Sequence, residues 1–191
     1  MLSSNDIQIL FNEFLVQIKD ENLREKVVRT WIAGCQQGGW ETLDALRQIP
    51  FTLLLDTREP GFIEHTQAVT QGAIELANAQ QKFYRQMPYQ INFDWLIAGG
   101  LLHDVGKLLE YESDGRGGYR QSFSGKCARH PISGAILAAQ NGLPLEIINM
   151  IGCHAKEGEG RPQRIETIMI HQADFATFNP LVMLEKGKLI Q

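Results

Sequence analysis

The chain has 191 residues, a length that fits one domain or one domain with an appendage. Hydrophobic residues make up 43% and charged residues 21%, the ordinary balance of a globular protein with enough apolar material for a packed core. Lys and Arg number 18 against 22 Asp and Glu, and the net charge of −4 excludes a dedicated nucleic-acid binder, which needs a cationic excess to neutralise phosphates.

The first residues, Met-Leu-Ser-Ser-Asn-Asp, lack the basic start of a secretory signal. Cys35, Cys127 and Cys153 form no CxxC pair, so free thiols and a cytoplasmic location are expected. Ile7, Leu10, Phe11, Phe14, Leu15 and Ile18 mark one face of a first helix, with Ser4 or Asn5 as its cap. Leu23, Val27, Val28, Trp31 and Ile32 mark a second helix, stopped by Gly38-Gly39; a short third segment runs from Trp40 to Pro50. Phe51 to Leu55 reads equally as a buried strand or an extended crossing. Asp56 to Gly61 reads as a loop and as the seam of the chain. The expected division is therefore an N-terminal helical extension, 1–55, packed on a main domain, 56–191.

Beyond the seam, helices are expected from Phe62 to about Gln86, from Asn92 through the Trp95 to Leu109 block, after Pro131, after Pro144, and from about Gln163 to Phe178. The Trp95 to Leu109 block is broken by His103, Asp104 and Lys107, which rules out a transmembrane helix. Glycines 115, 117, 118 and 125 mark a loop with a small hairpin around Tyr119 to Phe123. Gly142 separates the two proline-started helices, and Asn179-Pro180 ends the last strong one. The final eleven residues read as a docked helix or a frayed tail. The fold class is all-α.

No HExxH, GxSxG or GxGxxG is present. The Gly-Lys pairs at 106–107 and 125–126 have Leu101 and Arg120 where a phosphate-cradling loop needs its first glycine. The histidines are the informative set. His65, His103, His130 and His154 sit on predicted helices or at helix starts, among apolar residues. The run from Leu101 to Leu109 also carries Asp104, a carboxylate that is costly to bury without a partner. Lys107, one turn on, would pair with Asp104 and explain the carboxylate alone. A divalent cation explains the carboxylate and the four histidines together.

The order His65, His103-Asp104, His130-Pro131, His154, Asp174 resembles the HD superfamily of metal-dependent phosphohydrolases, all-helical bundles with a His…His-Asp…Asp ligand pattern. The resemblance spans roughly residues 61–180. It implies one ion on His65, His103, Asp104 and Asp174, and a second on His130 and His154 with Asp104 bridging. The cofactor it implies is a divalent transition metal, two ions rather than one, with Fe, Mn, Ni, Co and Zn not distinguished. His130-Pro131-Ile132-Ser133-Gly134-Ala135 looks like the helix start that carries the second ion's first histidine. The implied reaction is hydrolysis of a phosphomonoester, phosphodiester or nucleotide by a metal-activated hydroxide. Asp104 and Lys107 would be the catalytic pair, Lys107 contacting substrate phosphate, and no separate protein base is assigned.

The same resemblance leaves a di-iron oxygenase and a non-catalytic sensor or scaffold as alternatives. After His154 the expected Glu and the Tyr of the cyclic-di-GMP branch are missing, so that substrate is not assigned. Lys126, Arg129, Lys156, Arg161 and Arg164 flank the histidine loops, where together they could steer an anionic substrate, though each taken singly reads as an ordinary solvated loop charge. His171 reads as an ordinary surface or core histidine, and Cys153 as a small buried hydrophobe. The expected partner is a small phosphorylated or nucleotide-like substrate, with neither nucleic acid nor membrane. A homodimer built through the N-terminal extension is one option, and covering the pocket is another role for that extension.

Overall fold

Ser3, not Ser4 or Asn5, opens the first helix in the computed structural model of the chain, which describes residues 1–56 and 60–190. Its hydroxyl accepts from the Asp6 N–H at 3.3 Å while the Asp6 carboxylate accepts from the Ser3 N–H at 2.8 Å, a reciprocal cap. Helix α1 (Ser4–Leu15) then buries Ile7, Leu10, Phe11, Phe14 and Leu15. Helix α2 (Glu21–Gly38) is capped by Asp20 and stopped at Gly39, whose φ of 76° is left-handed. Helix α3 (Leu43–Gln48) is short. Phe51 to Leu55 forms neither strand nor helix but a bent crossing, behind an isolated bridge between Pro50 and Gly61. The loop expected at 56–61 falls in part on residues 57–59, outside the described residues.

Helices α4 (Phe62–Phe83) and α5 (Phe93–Leu102) follow, then α6 (Lys107–Glu110). Strands β1 (Tyr111–Ser113) and β2 (Tyr119–Gln121) pair antiparallel, Tyr111 opposite Gln121. Helices α7 (Phe123–Cys127), α8 (His130–Gln140), α9 (Leu145–Cys153) and α10 (Ile165–Glu185) complete the chain. The all-α expectation holds, with this hairpin the sole sheet among the described residues. No helix among them is long and apolar enough to cross a membrane.

Two element boundaries differ from expectation. The helix expected through Leu109 stops at Leu102, and residues 103–106 form a turn before α6. His103 and Asp104 fall in this turn and meet there, His103 Nε2 lying 3.3 Å from Asp104 Oδ2. Helix α10 also runs through Pro180 to Glu185 rather than ending there. Proline removes one helical N–H, and both Asn179 and Pro180 are exposed, so water can serve the carbonyl left over.

Helix α4 packs on α5 and α10, and α8 packs on α9. The hydrophobic core runs from Leu2 in the N-terminal segment to Ala173 in α10. Phe11, Trp31 and Phe62 stack in series, with ring centroids 4.8 and 5.4 Å apart, and so join α1, α2 and α4. The Trp31 indole donates to the Leu101 carbonyl at 3.0 Å, and the Trp40 indole donates to the Leu108 carbonyl at 2.7 Å. These carbonyls flank the 103–106 turn, where helix ends leave acceptors without main-chain donors. Trp31→Phe would leave the Leu101 carbonyl buried without its donor. The expected loss is about 1–3 kcal/mol, read as a lower urea midpoint at unchanged slope.

Candidate metal centre

Four helices deliver imidazoles to one point. His65 lies in the first turn of α4, His103 follows α5, His130 opens α8 and His154 follows α9; all four are buried. Each ring is held by its Nδ1. His103 Nδ1 meets the Gly100 carbonyl at 2.6 Å, and His154 Nδ1 meets the Ile151 carbonyl at 2.8 Å. His65 Nδ1 meets the Thr177 hydroxyl at 3.2 Å, and that hydroxyl donates to the Asp174 carbonyl at 2.8 Å. His130 Nδ1 meets the Glu110 carboxylate at 2.7 Å. With acceptors at every Nδ1, the proton sits there and each Nε2 keeps its lone pair.

All four Nε2 atoms surround Asp104. His65 and His103 approach its Oδ2 at 3.4 and 3.3 Å; His130 and His154 approach its Oδ1 at 3.2 and 3.5 Å. Asp174 Oδ1 lies 3.1 Å from His65 Nε2. Acceptors here face acceptors. His65 Nε2, His103 Nε2, His154 Nε2 and Asp104 Oδ1 are buried without a hydrogen-bond partner, which is costly unless a cation sits among them. Two ligand groups result, His65–His103–Asp104 and Asp104–His130–His154, with the ligating atoms of each within 4.8 Å of one another. Imidazole and carboxylate donors in this number fit a divalent transition metal.

Charge is arranged accordingly. Burial works against ionising Asp104, but the Lys107 ammonium beside it holds its carboxyl well below the usual range. Burial opposes the Lys107 ammonium, and Asp104 more than offsets this, so its pKa is raised. Lys107 Nζ donates to Asp104 Oδ2 at 2.5 Å and also to the Phe51 carbonyl. The Phe51 ring stacks on His65 with centroids 4.3 Å apart. The crossing after α3 thus braces the centre, and periodicity gave no sign of it.

A cavity of about 760 Å³ opens over this cluster. Asp104, Lys107, Glu110, His130 and Asp174 lie at its polar end; Phe51, Leu54, Tyr111, Phe175 and Phe178 give it apolar walls. Of the five flagged basic residues, Arg129 and Lys156 line it, while Lys126, Arg161 and Arg164 do not. Arg164 instead lies over the Trp95 ring and pairs with Glu166. His171 stays outside both ligand groups, its Nδ1 meeting the His154 carbonyl at 2.5 Å. Cys153 is half-buried and belongs to neither group.

The chain is 31% identical over 166 residues to a dihydroneopterin 2',3'-cyclic phosphate phosphodiesterase of Methanocaldococcus jannaschii, covering 84% of this chain and 64% of that protein. It is 33% identical over 84 residues to a ribonuclease Y of Thermosipho melanesiensis, and 36% identical over 84 residues to one of Thermotoga maritima. Each of these two alignments covers 44% of this chain and 14% of the ribonuclease. The chain therefore spans less than two thirds of these relatives' lengths. No solved structure gives a significant match. The HD domain family model matches residues 62–175, a stretch that holds the four clustered histidines, Asp104 and Asp174. By that match, over more than half of its length, the chain belongs to the HD domain family.

Proposed function

We propose that the chain is a divalent-metal-dependent phosphodiesterase whose substrate is a small phosphodiester rather than a polynucleotide. The observation that carries this reading is the meeting of four Nε2 lone pairs and both Asp104 oxygens in one buried cluster below a cavity. His65, His103, Asp104 and Asp174 would hold one ion; Asp104, His130 and His154 would hold a second. When bound, the metal supplies Lewis acidity to the phosphoryl oxygens and a water acidified toward neutral pH. The chain's own residues do the rest. Asp104 and Phe51 fix the Lys107 ammonium at the polar end of the cavity, where it holds a non-bridging phosphoryl oxygen. Arg129 and Lys156 at the rim attract the anion. Phe51, Leu54, Phe175 and Phe178 offer an apolar wall to the organic part of the substrate and exclude water from it.

A small substrate is favoured over RNA by cavity size and charge. The cavity is of ordinary small-ligand volume, and a chain of net charge −4 lacks the basic excess that a polynucleotide backbone needs. The Methanocaldococcus relative acts, by its name, on dihydroneopterin 2',3'-cyclic phosphate. A five-membered cyclic phosphodiester is accordingly the first substrate class to test. The helices before residue 56 are read as an extension that completes the site rather than as a separate functional domain.

The test is turnover of 2',3'-cyclic nucleotides, bis-p-nitrophenyl phosphate, p-nitrophenyl phosphate and single-stranded RNA by the full chain, with Mn, Fe, Co, Ni or Zn added singly. Metal-dependent hydrolysis of the small diesters, abolished by a chelator, is expected. Metal uptake with no turnover of any phosphate ester would overturn the reading. Lys107→Met is expected to lower kcat/KM for the diester about 100-fold while metal equivalents per chain stay unchanged. Loss of metal in that variant would show that Lys107 supports the cluster and leaves the substrate phosphate alone.

A further inference from the structure

Three of the four clustered histidines are oriented by fixed parts of the fold: two by main-chain carbonyls and one by a threonine hydroxyl. His130 differs. Its ring Nδ1 and its main-chain N–H both meet Glu110 Oε2, at 2.7 and 2.6 Å. Glu110 is the last residue of α6 and is buried. Its own position is fixed on the opposite side. Gln121 of β2 donates to Glu110 Oε1 at 3.2 Å, and the Glu110 carbonyl accepts from Ser122 N–H at 2.8 Å. Gly125 packs closely behind it: a methyl group added there would lie 2.7 Å from Glu110 Cγ.

We infer that Glu110 is a positioning residue for one half of the metal centre: it fixes the His130 ring so that Nε2 faces Asp104 Oδ1. The inference rests on the two-ion reading above and deepens it. A carboxylate at Nδ1 fixes both tautomer and ring plane, and makes Nε2 a stronger donor to a metal. Gln121, Glu110, His130 and Asp104 then form one continuous chain of contacts from the cavity wall to the ligand cluster. Asp104 is common to both halves, but Gln121 and Glu110 bond to neither His65, His103 nor Asp174, so the histidines of the two halves have different supports. The half built on His130 and His154 depends on one ionisable side chain that is not itself a ligand.

The test is Mn(II) titration of the full chain, followed by electron paramagnetic resonance, with metal equivalents from elemental analysis. Wild type is expected to take two equivalents and His130→Ala one. Glu110→Ala is expected to take the first equivalent normally and the second with about 10- to 100-fold weaker affinity. Glu110→Gln, which keeps an acceptor oxygen without the charge, should fall between. The double variant Glu110→Ala/His130→Ala should bind as His130→Ala does, because both changes remove the same support. Normal uptake of both ions by Glu110→Ala overturns the inference, as does an additive loss in the double variant. If Glu110→Ala fails to fold, judged by thermal unfolding, Glu110→Gln carries the measurement. A wild type that takes one equivalent, unaffected by His130→Ala, overturns the two-ion reading and this inference with it. That result is read before Glu110 is altered.

Discussion

Asp104→Asn is expected to strip metal from the chain and to lower phosphodiester turnover at least about 1,000-fold, a loss equivalent to about 4 kcal/mol. The size of the effect follows from the geometry. One carboxylate serves both ligand groups, Oδ2 facing His65 and His103 and Oδ1 facing His130 and His154. Asparagine keeps the shape but replaces one oxygen with an N–H donor, which binds a histidine lone pair and cannot ligate a metal. One half of the centre therefore loses its shared ligand outright, and the other loses a negative charge. Asp104→Ala adds a structural penalty, because Lys107 is buried and loses its counter-ion. Breaking a buried pair on one side costs about 3–5 kcal/mol, so Asp104→Ala should unfold well before Asp104→Asn, whose amide oxygen still accepts from Lys107. Metal equivalents per chain and thermal midpoints of both variants check this. Full metal content in Asp104→Asn would sink the proposed ligand set.

Gly106→Ala is expected to destabilise the chain strongly while leaving every proposed ligand side chain in place. A Cβ at Gly106 would lie 2.1 Å from the His130 carbonyl oxygen and 2.6 Å from the Gly134 nitrogen. Both are main-chain atoms of α8 and cannot step aside as a flexible side chain can. Gly134 answers from the other side, where an added Cβ would meet the Gly106 nitrogen at 3.1 Å. The two glycines thus let the 103–106 turn press directly against α8, and this contact brings His130 to Asp104. Forcing a methyl group between them should cost about 3 kcal/mol, the upper end of overpacking, and lower the melting temperature by about 6–12 °C. The second metal equivalent should weaken with it, since His130 moves with α8 while His65 and His103 do not. An unchanged melting temperature would show that α8 slides freely on the turn.

The clustering of histidines and aspartates was legible in the sequence because its members are rare residue types in apolar helical settings, in an order that few other constraints would produce. His65, His103, Asp104, His130 and His154 meet as that order implies, and Asp174 reaches them through His65. The residues around the cluster were much less visible. Glu110 ends a short apolar run and looks like any acid at a helix end; only the fold brings it to His130, twenty residues later. Phe51 supplies a ring and a carbonyl from a segment too short to classify by periodicity. The break after Leu102 was hidden because the apolar pattern continues across it. Nearness in sequence to a histidine loop does not by itself bring a basic residue to the cavity: of the five, Arg129 and Lys156 line it.

The two tryptophan bonds described above also bear on how the protein opens. Trp31 and Trp40 tie the N-terminal helices to the carbonyls on both shoulders of the turn that carries His103 and Asp104. A fluctuation that loosens this turn must also break those bonds and part the Phe11–Trp31–Phe62 stack. The ligand cluster therefore shares the protection of the central core instead of fraying locally. The main-chain amides of the 103–106 turn belong with the slowest to exchange hydrogen.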